Sequence, residues 1–389
     1  YFWRLSTYLN FIPTGENCKL KICYNLFMPF DLFKRVARPS SFLGVDIGTT
    51  SIKIAEVKQG KDQPELINYS LFETYDHLER TNTALQTSTL KLFENEITEY
   101  LKVIIQKGGF KSREVTASLP SFSAFTTIID IPSNIPESDI AKTLGFKARQ
   151  HIPLPLTSVT LDWVKVGERT DDKGNKIQQI FLISVPNKQI KKYKTIFSKA
   201  GLNLLTLEVE GFSLSRILTT NIDKPTLIID VGARSTTFLV AQNGVLKYVS
   251  QSDFAGSSLT QSIASGLGIN IRRAEDLKRQ KGLIGLGHGP DKELSTLLVP
   301  LLDVIINEAK RVKDNYQHSY QQKIASIILS GGGANLLNAE QYFKEKLELP
   351  VSKSDPFSNI DYPPKLAPLT DSLGPSLSVA LGLGIKPFI

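Results

Sequence analysis

Two stretches of this chain repeat one pattern, and any fold has to accommodate both. FLGVDIGTTSIKIAEV, from Phe42 to Val57, and TLIIDVGARSTTFLV, from Thr226 to Val240, each carry D-x-G-x-x-S between apolar runs. When the two are aligned, Asp230 falls on Asp46, Gly232 on Gly48 and Ser235 on Ser51. Val45 and Ile47 alternate before the first break, and Ile52, Ile54 and Val57 follow it. Each copy therefore reads as a β-hairpin with a tight glycine turn. A lone hairpin of this kind needs only a glycine with positive φ and polar neighbours over its turn. Two copies, one in each half, indicate duplicated domains facing each other. Each turn then offers backbone N–H groups and hydroxyls to phosphates from its own side of a cleft. Asp46 and Asp230 stand where a Mg2+ ion needs oxygen ligands, reached through water.

A third element belongs with them. IASIILSGGGANLLNAEQYF, Ile324 to Phe343, runs from a strand over Ile327–Ser330 into Gly331, Gly332 and Gly333, then into a helix expected to be capped near Asn335. Glycines let a backbone lie against a flat ring or a ribose without Cβ interference, although a lone triplet serves equally as a flexible turn. The P-loop pattern GxxxxGK[ST] is absent, and GLIGLGHGP follows no clear strand and opens no helix, so it is no dinucleotide motif.

With 389 residues the chain exceeds one ordinary core and suits two domains or more. A net charge of +8 favours solubility and permits weak attraction to an anionic surface. No element interleaves basic residues with aromatics, which argues against a nucleic-acid partner. The first 27 residues differ from the rest: they hold both cysteines, Cys18 and Cys23, while the sole methionine is Met28. We expect a non-native or mis-called leader and a functional start at Met28. Neither the two cysteines nor His77, His151, His288 and His318 show metal-ligand spacing. No run of 18 apolar residues exists to span a membrane, and a cytoplasmic location is expected. In the arm 28–40, Phe30, Leu32, Phe33 and Val36 alternate with Lys34, Arg35 and Arg38. A plain flexible arm is the preferred reading, and a short amphipathic segment on an anionic membrane the alternative.

Together the two hairpins and the glycine triplet resemble the phosphate and adenosine motifs of the actin-like ATPase superfamily. RRAEDLKRQ resembles the helix lining its nucleoside pocket, and SLSVALGLGIK, Ser376 to Lys386, its final helix. LEVEGFSLSRIL, Leu207 to Leu218, resembles the helix start whose glutamate orients the attacking water, with Gly211 where relatives usually have proline. FKARQHIPLPLTSVTLDWVKV, Phe146 to Val166, and the opening LFKRVARPSSFLGVDIGTTSIKIAEV resemble the PilM family of type IV pilus assembly proteins, related to the division protein FtsA. The resemblance implies an α/β fold of duplicated actin-like, ribonuclease H-like domains around a nucleotide cleft, with an inserted α+β subdomain. It sets subdomains at 41–121, completed by 207–223 and 373–389, an insertion at 122–206, a second half at 224–261 and 323–372, and a helical part at 262–322.

It also implies ATP with Mg2+ as the ligand. Gly48, Thr49, Thr50, Ser51 and Lys53 would meet the phosphates from one side, and Gly232, Ala233, Arg234 and Ser235 from the other. Asp46 and Asp230 would hold the ion, Gly331, Gly332, Gly333 and Asn335 the adenosine, and Glu275 the ribose with Lys278 beside it. Read without the family, Glu275 and Lys278 are an ordinary i,i+3 helix-surface pair. Glu210 is the hydrolytic candidate, and ATPase turnover would be slow or absent. The implied function is a cytoplasmic scaffold, peripheral on the inner membrane, for a type IV pilus, secretion or competence platform. Its partner would be the N-terminal cytoplasmic peptide of a PilN-like single-pass membrane protein, with room for weak self-association. The rivals are an FtsA-like division or cytoskeletal ATPase and a small-molecule kinase of the same superfamily. A kinase needs a carboxylate base beside the substrate hydroxyl, and SLPSFSAF at the expected strand offers no aspartate.

Overall fold

The computed structural model describes residues 39–74, 94–170, 174–284 and 292–389. The leader with Cys18 and Cys23, the arm as far as residue 38, His77, His288 and all but the first three residues of GLIGLGHGP lie outside that set.

The first half opens with β1 (Ser41–Ile47), β2 (Ser51–Lys58) and β3 (Glu65–Glu73), then α1 (Glu94–Gly108) and β4 (Glu114–Leu119). Glu94 and Glu96 in the first turn of α1 and Lys107 in its last complement the helix dipole. Next come β5 (Phe125–Pro132), α2 (Glu137–His151), β6 (Val159–Thr170) and β7 (Lys176–Pro186), which form a separate antiparallel sheet ordered β5-β7-β6. α3 (Asn187–Lys199) and β8 (Asn203–Val209) return to the first sheet, whose order is β3-β2-β1-β4-β8.

The second half starts after α4 (Glu210–Thr219) with β9 (Thr226–Val231), β10 (Thr236–Gln242) and β11 (Val245–Ser252). Helices α5 (Gly256–Leu267), α6 (Ile271–Lys281) and α7 (Lys292–Tyr320) follow, then β12 (Ser326–Ser330), α8 (Ala339–Leu347), β13 (Val351–Lys353) and α9 (Thr370–Ile385). Its sheet is ordered β11-β10-β9-β12-β13. In both sheets the first three strands in sequence are antiparallel and the next two join in parallel. The repeat visible in the hairpins thus extends to strand order and direction.

Period-2 patterning assigns the two faces of the second sheet to different layers. Ile228 and Leu239 face inward to α4 and α9, sharing one core with Val45 and Ile54 of the first sheet, Leu214 and Ile217 of α4, and Leu377 and Leu381 of α9. Leu227, Ile229, Phe238 and Val240 face the other way, onto α5 to α8. Each such buried aliphatic side chain contributes about 1.5–3 kcal/mol. A Cβ on Gly44 would lie 1.9 Å from the Ala380 carbonyl oxygen, so α9 rests directly on the backbone of β1. The small sheet has a core of its own with α2, built from Ile129, Ile131, Ile140, Leu144, Ile180 and Leu182. Its other face, through Phe181 and Ile183, joins the main core, where the Phe181 ring meets Phe212 edge-on at 5.4 Å.

Several sequence expectations change. The insertion does not reach residue 206: β8 pairs with β4, and Tyr193, Ile196 and Phe197 of α3 pack in the main core. In the helical part at 262–322, Ile263, Ala274 and Leu298 pack with the second sheet. α7 runs as one helix through Pro300. The glycine triplet leads into a 3-10 turn, Gly332–Asn335, and α8 begins only after Asn338, so Asn335 caps no α-helix. In the proline-rich stretch before α9, β13 adds to β12 in parallel. The final helix starts at Thr370, earlier than expected.

Candidate functional site

The turns of the two hairpins close in the same way. Gly48 N–H donates to Ser51 O at 2.9 Å, and Gly232 N–H donates to Ser235 O at 3.0 Å. The second turn is also fixed to the start of α5, where Gly256 and Ser257 N–H groups donate to the Gly232 and Ala233 carbonyls at 3.0 and 2.8 Å. Between the hairpins lies a cavity of about 470 Å³. Its walls include every residue singled out from the sequence: Asp46, Gly48, Thr49, Thr50, Ser51, Lys53, Glu210, Asp230, Gly232, Ala233, Arg234, Ser235, Glu275, Lys278, Gly331, Gly332, Gly333 and Asn335.

At the floor of the cavity sit three carboxylates and one ammonium. Lys53 Nζ donates to Asp46 Oδ2 at 2.9 Å, and Ser118 Oγ donates to Asp46 Oδ1 at 2.7 Å. Glu210, the first residue of α4, accepts from Ser121 N–H at 3.2 Å, Ser121 Oγ at 3.0 Å and Thr237 Oγ1 at 3.1 Å. Burial pushes the Glu210 carboxyl up to about 7, with Asp230 and Asp46 adding repulsion and the Ser121 hydrogen bonds opposing. Burial likewise raises Asp230 to about 6 against the pull of Lys53 and Ser330. Desolvation works against the Lys53 ammonium, but the Asp46 pair and the neighbouring carboxylates outweigh it and hold its pKa above the usual lysine value.

This charge balance tests the fit of a divalent cation. Three acids against one lysine leave excess negative charge in a buried space, which a cation would offset. Among the described residues no three metal-ligating side chains converge on one point. Mg2+ keeps most of its waters and takes one or two carboxylates plus phosphate oxygens, and the carboxylates of Asp46 and Asp230 line this cavity.

The far end of the cavity is built for a different shape. Gly331 has φ of +78°, and a Cβ there would lie 2.5 Å from Val231 O; one on Gly333 would lie 2.3 Å from Val231 Cγ1. Gly332 alone has open space where a Cβ would go. Asn335 donates through Nδ2 to Ser372 O at 2.8 Å. Opposite, Glu275 is buried and accepts from Lys278 Nζ at 2.6 Å, Thr260 Oγ1 at 2.5 Å and Arg279 Nε at 2.8 Å. Burial alone would raise the Glu275 carboxyl, but these donors hold it below the usual range. Burial lowers the Lys278 pKa, with Glu275 resisting. The pair is part of a network, which a simple surface i,i+3 contact would not provide.

Sequence reasoning missed the groups that bridge the cleft. Arg279 places its two terminal nitrogens on the Glu73 carboxylate, both at 3.0 Å, joining α6 to the edge strand β3. The Arg234 guanidinium stacks over the Phe122 ring at 4.7 Å, just where the chain enters the small sheet. Lys247 of β11 donates to the Val166 carbonyl of β6, tying that sheet to the second half. Ser118, Ser121 and Thr237 were also missed. The one signal available was their place at the end of β4 and the start of β10, beside the motifs already identified.

Comparisons with known proteins agree with this geometry. A solved PilM–PilN type IV pilus biogenesis complex superposes with a TM-score of 0.74 at 20% identity, covering 88% of this chain and 97% of that one. MreB5 of Spiroplasma citri, solved bound to AMPPNP, gives a TM-score of 0.53 at 16% identity, covering 90% of this chain and 96% of that one. The cell division protein FtsA of Enterococcus faecalis (strain ATCC 700802 / V583) is 20% identical over 357 residues, covering 81% of this chain and 80% of FtsA. The fold is that of the actin-like ATPases, as the paired motifs implied. The family described as type IV pilus assembly protein PilM matches residues 44–388, and the chain belongs to that family.

Proposed function

We propose that this protein is a nucleotide-dependent scaffold that binds Mg·ATP in the cleft and a short peptide of a PilN-like membrane protein on its surface. The observation that carries the reading is the convergence of two identically closed hairpin turns on one cavity. In it, the turns at Gly48–Ser51 and Gly232–Ser235, with Lys53 and Arg234, meet the phosphates. Asp46 and Asp230 would hold Mg2+. Gly331–Gly333 and Asn335 face the adenosine, and Glu275 with Lys278 faces the ribose. Mg2+ would supply neutralisation of phosphate charge. Glu210, held by Ser121 and Thr237 and raised toward neutrality by burial, is suited to orient a water near the outermost phosphate, with slow turnover.

Support for the partner comes from the fold match to a PilM–PilN complex. Coupling requires that the closed cleft bind both ligands better than the open one. The small sheet is suited to sense closure, being attached to the first half by chain and to the second through Lys247. A peripheral position on the cytoplasmic face of the inner membrane follows from such a partner. A kinase is disfavoured because the end of β4 carries Ser118 and Ser121, not an acidic base.

Calorimetric titration of the full chain tests this, using the N-terminal peptide of the neighbouring single-pass membrane protein with and without Mg·ATP. Peptide affinity should rise severalfold with Mg·ATP, and Asp46→Ala should abolish that rise. ATP binding without peptide binding would refute the scaffold and turn the search to small phosphoacceptors.

A further inference from the structure

Helix α3 turns Ile190, Tyr193, Ile196 and Phe197 into the core. What it leaves outside has one sign. Lys188, Lys191, Lys194 and Lys199 are exposed and Lys192 is half-buried, with no Asp or Glu in the helix. Among the described residues none of these five lysines has a carboxylate within ion-pair distance. Most surface helices mix their signs, as α1 does where Lys102 pairs with Glu99. Lys107, in the last turn of α1, and Lys111, just past that helix, are also exposed.

The chain enters the first sheet at this same edge. Ser112 Oγ donates to Ser41 O at 2.7 Å, and Asn203 N–H, just after α3, donates to Arg113 O at 2.8 Å. Upstream of that entry, outside the described residues, the sequence carries Phe30, Leu32, Phe33 and Val36 among Lys34, Arg35 and Arg38.

We infer that the lysine face of α3 docks on an anionic phospholipid bilayer. Two features favour a lipid surface over other polyanions. The cations are all lysines, point charges without the planar fork that reads phosphates or bases two at a time. The ring side chains of the helix, Tyr193 and Phe197, are buried, so nothing is offered for stacking bases. The inference is independent of the nucleotide reading.

Flotation of the full chain with vesicles tests it. Binding is expected to phosphatidylglycerol-rich vesicles at low salt, with none to phosphatidylcholine alone and release at high salt. The combined variant Lys188→Gln, Lys191→Gln, Lys194→Gln and Lys199→Gln should bind at least about tenfold less, given the contribution of each cation near such a surface. The same four positions changed to Arg should keep binding, and thermal melting should be unchanged in both, since the side chains point to solvent. Equal flotation of the Gln variant and the parent would overturn the inference, as would failure of the parent to float or equal binding to neutral vesicles. Removal of residues 1–38 abolishing flotation while the Gln variant keeps it would assign the surface to the arm instead. Tighter binding to duplex DNA than to vesicles at matched salt, lost in the Gln variant, would make this a nucleic-acid surface.

Discussion

Gly332 differs from its two neighbours in what it is for. Gly331 and Gly333 are required by a left-handed backbone and by close packing on Val231, whereas Gly332 has room for a side chain that the sequence withholds. Gly332→Ala should therefore leave the melting temperature within about 1 °C of the parent, since surface substitutions cost little, while weakening ATP binding about tenfold or more. Gly331→Ala should lower stability by 1–3 kcal/mol, on the order expected for a forced left-handed residue. Melting curves and ATP titration separate the two. The sequence marks all three glycines alike, and the distinction depends on Val231, a hundred residues upstream in the chain.

Glu210 carries a prediction about pH at the same scale. A carboxyl whose folded pKa is raised binds its proton more tightly in the native chain than in the unfolded one. Its penalty is absent below its ordinary pKa and complete above its folded value. With Glu210 at about 7 and Asp230 at about 6, the nucleotide-free protein should lose stability from these groups as pH rises from roughly 4 through 7. Glu210→Gln should melt a few degrees higher than the parent near pH 8 and close to it near pH 5, at roughly 2–4 °C per kcal/mol. Scans at both pH values decide it, and a parent with no slope over this range would contradict the assignment.

At the scale of elements, the link between α6 and β3 is a strap across the mouth of the cleft. Arg279 holds Glu275 with one nitrogen and Glu73 with two others, so a group on Glu275 and the position of β3 are read by one guanidinium. Glu73→Gln should speed dissociation of a fluorescent ATP analogue severalfold with little change in melting, because the pair is part-exposed and exposed pairs add only about 0–1 kcal/mol. A dissociation rate unmoved by Glu73→Gln would show that the strap does not gate the cleft.

How legible an element was followed from how local its causes are. The hairpins at β1–β2 and β9–β10 were plain because alternation and a glycine turn lie within about 15 residues of sequence. β13 was not legible, because three residues beside prolines have no pattern of their own and only parallel pairing with β12 makes them a strand. α3 was placed in the insertion because it follows β7 directly; its apolar face fits the main core, which sequence spacing does not reveal. In the cleft, the motif residues converged from three distant stretches, while Glu73, Phe122 and Ser121 escaped notice because a strand edge, an aromatic and a serine have no signature outside their contacts.

For the whole molecule, the two halves are joined through elements that belong to neither alone. Glu208 at the end of β8 is buried with Arg216 of α4 at 2.8 Å and also receives Lys386, just past α9, while Arg216 donates to Gly382 O at 2.8 Å. Burial opposes the charge on Glu208, and the two cations keep its carboxyl below the ordinary range. Removing Arg216 leaves the buried Glu208 carboxylate with Lys386 alone and takes a donor from the Gly382 carbonyl, so Arg216→Met should destabilise by about 3 kcal/mol, the lower end of the cost of breaking a buried pair. Denaturant unfolding measures this, and a loss below about 1 kcal/mol would mean the network is not needed to hold α9.

The position of α9 has a consequence for how the protein is made. Val45 and Ile54, near the start of the first sheet, share their core with Leu377 and Leu381 of α9. A sheet that could begin to form as soon as β4 is synthesised has no inner cover until residues 370–385 have left the ribosome. During that interval β1 and β2 present apolar faces to solvent and to other nascent chains. Assembly of the first half is therefore timed by translation of the second, and the growing chain passes through a long stage in which its oldest strands lack the helix that covers them.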